Sequence, residues 1–235
     1  MIRRRKAQEQ ARVKESACQT DPTAISFPNE VVQPLRRLVS RLALRGELPA
    51  RLSMVSALRQ EGVSYIAMAL ATTMAHDLAA SVCAVELNWC WPGMAGERSG
   101  ACPGLAALLA GGVPLEVALL PTSLPNLMLL PAGKLLPERR SVMANRPELR
   151  RIIMQLAERF DYVLLDVPAL LATSDAIPLA ALGEACCFVV RQGVTPAQSV
   201  RQALDDVEHM PVMGVVLNQV HVATPRWLLK LIPPA

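Results

Sequence analysis

From Leu52 onward the chain alternates short, almost wholly apolar runs with longer stretches of helical periodicity, and this alternation leaves few folds open. The short runs are Leu52 to Ala57, Ser81 to Leu87, Asn126 to Leu130, Tyr162 to Asp166, Ala185 to Arg191 and Met213 to Asn218. A strand covered by helices on both faces has no solvated side, so runs of this kind predict buried strands of a parallel sheet. The stretches between them predict helices over Ser64 to Ala79, Pro103 to Ala110, Arg146 to Arg159 and Pro196 to Glu208. Pro147 and Pro196 stand at helix starts, where the missing N–H would have had no partner anyway. Repeated βα units predict an α/β fold: a doubly wound, mainly parallel sheet in a three-layer sandwich.

Upstream the pattern differs. Residues 1 to 29 are polar and end in a loop-like stretch with Asp21-Pro22 and Phe27-Pro28, which predicts a basic, disordered tail. Apolar residues then recur at Val32, Leu35, Leu38, Val39 and Leu42, predicting one amphipathic helix interrupted near its start by Pro34. The organisation expected is a tail over 1–29, one domain over 30–222, and a short apolar tail over 223–235 that contains Trp227 to Ile232. With 52% hydrophobic and 19% charged residues in 235, one globular core is expected. The net charge of +4 arises largely where Arg3, Arg4, Arg5, Lys6, Arg12 and Lys14 face only Glu9. Like charges in a run repel and stay solvated, so nucleic acid is not indicated as a partner. No apolar stretch follows these charges as a secretory signal requires, and none is long enough to span a bilayer, so a cytoplasmic location is expected. The six cysteines show no C-x-x-C spacing and read as small buried hydrophobes, not zinc ligands. His76, His209 and His221 each stand alone in their segments.

In open parallel sheets ligands collect beyond the carboxyl ends of the strands. The first strand runs through Ser56-Ala57-Leu58-Arg59-Gln60-Glu61-Gly62-Val63-Ser64 into a helix, the setting of a phosphate-binding loop. In a working loop the backbone N–H groups cradle phosphates, a lysine bridges the outer ones and a hydroxyl ligates magnesium. Here Gly62 and Ser64 remain, while Val63 takes the lysine position and Ala57 the first glycine position. Ala57, Arg59, Gln60, Glu61, Gly62, Val63, Ser64 and Tyr65 are the candidate nucleotide-binding residues of this loop.

The motifs that follow carry a resemblance. Glu86-Leu87-Asn88-Trp89-Cys90-Trp91-Pro92 stands in for an Asp-x-Asp motif followed by basic residues and proline. Gly104-Leu105-Ala106-Ala107-Leu108-Leu109-Ala110-Gly111 is a Gly-Leu-rich helix, and Pro125-Asn126-Leu127 through Leu130-Pro131-Ala132-Gly133 a further strand. Phe160-Asp161-Tyr162-Val163-Leu164-Leu165-Asp166-Val167-Pro168 is a third acidic motif, followed by Ser174-Asp175-Ala176, Val189-Val190-Arg191 and Gly214-Val215-Val216-Leu217-Asn218. In order and spacing these motifs, over about residues 30 to 222, closely resemble the bacterial tyrosine kinases and ATPases of exopolysaccharide and capsule biosynthesis, relatives of the MinD and ParA group of P-loop NTPases. The resemblance implies ATP and magnesium as cofactors, with Asp166 as the catalytic acidic residue, Ser64, Glu86 and Asp166 at the metal, and Asn218 at the adenine base.

The same resemblance exposes departures. Both aspartates of the second motif are changed, to Glu86 and Asn88, and its basic pair has become Cys90 and Trp91. Arg59 and Gln60 replace a Pro-Gly pair at the loop's tightest point. A Glu-x-x-Arg-x-x-Arg pattern used to build rings of subunits is reduced to Gln33, Arg36 and Val39. The family's terminal tyrosine cluster has no counterpart, since the only tyrosines are Tyr65 and Tyr162, so phosphorylation on a tail is not expected. Loss of one preorganised donor costs roughly 10²- to 10³-fold in rate, and several losses together predict a degenerate member with ATP and magnesium binding weak or lost. The partners implied are an active kinase paralogue or a membrane-embedded polysaccharide chain-length regulator, with homo-oligomers also implied and recruitment to the inner face of the membrane through the partner. Two alternatives stand beside this: a slow ATPase or kinase that recruits Arg59 for the missing charge, and a MinD-like membrane-surface positioning protein.

Overall fold

The computed structural model describes residues 26–94 and 102–220. The predicted N-terminal tail as far as residue 25, Cys18, His221 and the Trp227 to Ile232 segment lie outside the described residues. The elements follow in the order α1 (Asn29–Arg45), β1 (Arg51–Val55), α2 (Val63–Asp77), β2 (Val82–Glu86), α3 (Gly104–Leu109), α4 (Leu115–Ala118), β3 (Leu120–Pro121), β4 (Leu127–Leu130), α5 (Pro137–Ala144), α6 (Pro147–Arg159), β5 (Tyr162–Asp166), α7 (Ala176–Ala180), β6 (Ala185–Arg191), α8 (Ala197–Asp206) and β7 (Val212–Asn218). The strands form a seven-stranded sheet in the order β3-β4-β2-β5-β1-β6-β7. Every pairing is parallel except that of β3 with β4.

The expected three-layer sandwich follows from strands that are apolar on both faces. Along β2, Val82 and Ala84 join the core shared with Leu35 and Val39 of α1 and Ile66 and Leu70 of α2. Cys83 and Val85 turn the other way, onto a core with Leu149, Ile153 and Leu156 of α6 and Ala203 of α8. Burying apolar surface stabilises at about 25 cal/mol per Å², and here both faces of each central strand contribute. The cysteines on these strands are buried, and burial pushes the thiols of Cys186 and Cys187 up to about 11 and about 12 respectively. They act as small hydrophobes, as their sequence setting suggested.

Predicted strands and helices start and stop within a residue or two of the observed ones, with two differences of substance. Helix α1 runs through Pro34 without interruption. That proline removes only the bond to the carbonyl of Glu30, an exposed first-turn residue whose carbonyl water can reach, while Val31 and Val32 both take the carbonyl of Pro28. The second is the antiparallel edge strand β3, with α4, α5 and α7: β3, α4 and α7 are too short to show a period, and α5 buries only Met143 and Ala144 at its end, so it carries no apolar stripe. Arg36, in the reduced ring-building pattern, pairs within the chain: its Nε lies 2.7 Å from Oδ2 of Asp77 at the end of α2. Val39 of the same pattern is wholly buried in the core.

Candidate functional site

The carboxyl ends of β1, β2 and β5 converge on a cavity of about 740 Å³. Its floor is the loop between β1 and α2, and Arg59, Gln60, Glu61, Gly62, Val63, Ser64 and Tyr65 all line it. Trp91, Asn88, Phe27, Thr122 and Val167 are among the residues of its walls. Ala57, Glu86, Asp166 and Asn218 stand behind this surface.

The loop is held in shape by bonds the chain makes with itself. Gly62 adopts φ 89° at the N-cap of α2, with no side chain capping the helix. A Cβ at Gly62 would come 2.2 Å from Nδ2 of Asn218, so any other residue would be strained at this φ and would push the Asn218 side chain aside. Gln60 also lies in the left-handed region, at φ 64°, where a non-glycine residue costs roughly 1–2 kcal/mol. What compensates is Glu61, which is 2% exposed. Its Oε2 accepts from the backbone N–H of Ala57 at 3.1 Å and of Leu58 at 3.3 Å, and its Oε1 accepts from the hydroxyl of Thr195. Nδ2 of Asn218 donates to the carbonyl of Glu61 at 2.9 Å, which ties the loop to the end of β7. Thus Glu61 and Asn218 serve the loop's shape through their side chains. Val63 places its apolar side chain in the core with Met54 and Ile66, so no charge stands at the lysine position.

Glu86 and Asp166 are register partners at the ends of β2 and β5, both wholly buried, and their surroundings are opposite. Glu86 accepts three backbone bonds: Oε1 from Gly93 and Met94, both at 2.6 Å, and Oε2 from Ala132 at 3.1 Å. It anchors the segment 88–94 that walls the cavity. No described residue gives either oxygen of Asp166 a well-formed hydrogen bond; the Ser64 hydroxyl is near enough to favour the anion but does not meet that geometry. Burial pushes its carboxyl up to about 7, the Ser64 hydroxyl offsets part of that, and the Glu86 charge adds to it. A buried carboxylate without donors is unstable as an anion unless a cation joins it. Oxygen ligands from Asp166 and Ser64 suit a hard divalent ion. Glu86, with its oxygens committed to backbone N–H groups, fits that role less well.

Sequence reasoning missed three contributors. Trp91 carries the guanidinium of Arg59 over its ring at 3.6 Å, which joins the loop to the 88–94 segment. Thr195 latches Glu61 from 134 residues away. Phe27 packs edge-on against Tyr65, ring centroids 5.1 Å apart. Only Trp91 had a sequence signal, since Asn88 precedes it by three and caps its N–H at 3.0 Å in a local turn.

No protein-family model matches the chain. It is 34% identical over 97 residues to the succinoglycan biosynthesis transport protein ExoP of Rhizobium meliloti, covering 40% of this chain and 12% of that protein. It is 26% identical over 102 residues to the tyrosine-protein kinase CpsD of Streptococcus agalactiae, covering 43% of this chain and 44% of CpsD. The match thus spans less than half of either relative. The kinase domain of the Escherichia coli tyrosine kinase ETK superposes with a TM-score of 0.71 at 20% identity over 83% of this chain and 79% of that one. The septum site-determining protein MinD of Pyrococcus horikoshii, complexed with Mg-ADP, superposes with a TM-score of 0.61 at 20% identity over 78% and 76%. The chain is therefore related to the bacterial tyrosine kinases and shares its fold with them and with MinD, as the sequence motifs implied.

Proposed function

We propose that this relative of the bacterial tyrosine kinases works in exopolysaccharide or capsule biosynthesis as a non-catalytic regulatory or scaffolding protein. The observation that carries the reading is Val63. Phosphoryl transfer in this fold rests on positioning and on neutralising the charge of the transferred group, and the side chain at the neutralising position is apolar and packed in the core. Among the described residues that line the cavity Arg59 is the single basic one, and it is stacked on Trp91. Glu86, where the motif expects an aspartate at the metal, spends its oxygens on backbone N–H groups. Asp166 and Ser64 would hold magnesium if nucleotide binds at all, which supplies charge neutralisation to phosphates and relieves the bare Asp166.

The partners in this reading are a membrane-embedded polysaccharide chain-length regulator or an active kinase paralogue, with cytoplasmic protein reaching the membrane's inner face through that partner. No described helix is long and apolar enough to cross a membrane. Purification of tagged chain from polymer-producing cells should bring down one of these partners, and recovery of neither would sink the proposal. A second reading, a slow ATPase, draws support from Arg59 on the cavity wall and from the unpaired Asp166. Calorimetric titration with Mg-ATP and a turnover assay separate the two. Turnover that disappears in Asp166→Ala would establish the slow enzyme; absence of heat and turnover at millimolar ATP leaves the non-catalytic reading standing.

A further inference from the structure

A second concavity, of about 490 Å³, lies between α3, the segment that follows β4, and α5. Ala106 and Met143 are buried at its floor, Ala107 and Leu135 are half-buried, and Leu136 stands 58% exposed at its edge. Among the described residues, apart from the thiol of Cys102, which bonds the carbonyl of Ala118 at 3.3 Å, the polar side-chain groups lining it are the cations of Lys134 and Arg139. Both are exposed, and neither has an ion-pair partner among the described residues.

This chemistry discriminates between kinds of ligand. Small-molecule sites orient their ligands with a few buried polar groups, and among the described residues no hydroxyl, amide or carboxylate side chain lines this groove. A bilayer presents a broad, flat surface, whereas this surface is concave. Small residues on the floor let a partner backbone approach closely, an exposed leucine flanks it, and two cations border it. That arrangement suits an amphipathic helix laid into a groove with its apolar side chains inward and acidic ones at the rim.

We infer that the groove bounded by Ala107, Lys134, Leu136 and Arg139 docks an acidic amphipathic segment of another protein. This deepens the partner-binding reading above and rests on it. Its position also gives the docked segment a route to the first cavity. Lys134 follows Ala132, whose N–H and carbonyl are held by Glu86 and by Nε1 of Trp89 at 3.1 and 3.0 Å. Arg140 of α5 reaches Sγ of Cys90 at 3.3 Å. A partner in the groove therefore bears on the residues that hold the 88–94 segment over the phosphate loop.

The test uses the full chain and a fluorescein-labelled helical peptide with leucines on one face flanked by glutamates, read by anisotropy. A second peptide carries lysines in place of the glutamates. The wild type should prefer the acidic peptide by about tenfold, the worth of two exposed ion pairs, and added salt should reduce that preference. Lys134→Glu with Arg139→Glu should reverse the preference, and Ala107→Trp, which fills the groove and keeps both charges, should abolish binding of either peptide. Equal affinity for both peptides, or binding unaffected by Ala107→Trp, overturns the inference. Binding to phosphatidylglycerol vesicles that the charge variant loses, without peptide binding, overturns it in favour of a lipid surface. Unchanged melting temperatures establish that the variants are folded. If a cellular partner co-purifies equally with the charge variant, the groove has failed and the partner-binding reading has not; if no partner co-purifies with the wild type, the reading itself has failed.

Discussion

Glu86 and Asp166 sit side by side at the ends of adjacent strands, both wholly buried, and have opposite fates. Three backbone N–H groups reach the first and, among the described residues, none the second. The difference teaches that burial alone does not make a carboxylate functional or structural: the donors that reach it decide. Glu86 has one more methylene than the aspartate expected there, and the longer arm ends on Gly93, Met94 and Ala132. Asp166, with the shorter arm, stops beneath Ser64 and stays available for a cation.

The largest expected effect comes from removing the bare carboxylate. Its pKa is raised by burial to about 7, so the folded state holds this proton more tightly than the unfolded state does. Its contribution to stability is complete below the ordinary carboxylate range and is lost as pH rises through about 7. Asp166→Asn should therefore be more stable than the wild type by about 4 kcal/mol above pH 8 and lose the slope between pH 4 and 8, read from denaturant midpoints across pH. If the two proteins have parallel pH profiles, Asp166 is not the bare group described.

Breaking the other half of the comparison should destabilise. Glu86→Ala leaves the N–H of Ala132 buried and unmet and releases Gly93 and Met94, at a cost of about 3 kcal/mol in chemical denaturation. Glu86→Gln should cost less and, by removing the neighbouring charge, move the Asp166 titration downward when followed by carboxyl NMR. A smaller effect is expected of Trp91→Ala, which cuts the stack that joins the 88–94 segment to the loop: about 1 kcal/mol, with faster amide exchange at Gly93. Smallest is Gln60→Gly, which relieves the left-handed strain but loosens the unfolded chain, for a net gain of about 0.5 kcal/mol in thermal unfolding. A loss there would mean that the Gln60 side chain supports the loop.

The sheet was legible because a doubly covered strand must be apolar throughout, and residues such as Val163, Leu164 and Leu165 satisfy that locally. The loop was legible for the same reason, since Gly62 and Ser64 follow a strand and open a helix. Thr195 was not, because a threonine before a proline carries no sign that a glutamate 134 positions away needs a donor. Nor was Pro34 as a tolerated helix residue, because tolerance depends on how exposed the first turn is.

By itself, the sequence determined the βα order, the two covered faces of the sheet and the missing cation at position 63, because these are properties of short stretches and of single residues. The tertiary structure decided which carboxylate is spent and which is bare, what holds Gln60 in a left-handed turn, and that a groove edged by Lys134 and Arg139 opens beside the first cavity. Those outcomes depend on hydrogen-bond donors and side chains brought together from distant parts of the chain, and proximity of that kind has no local pattern.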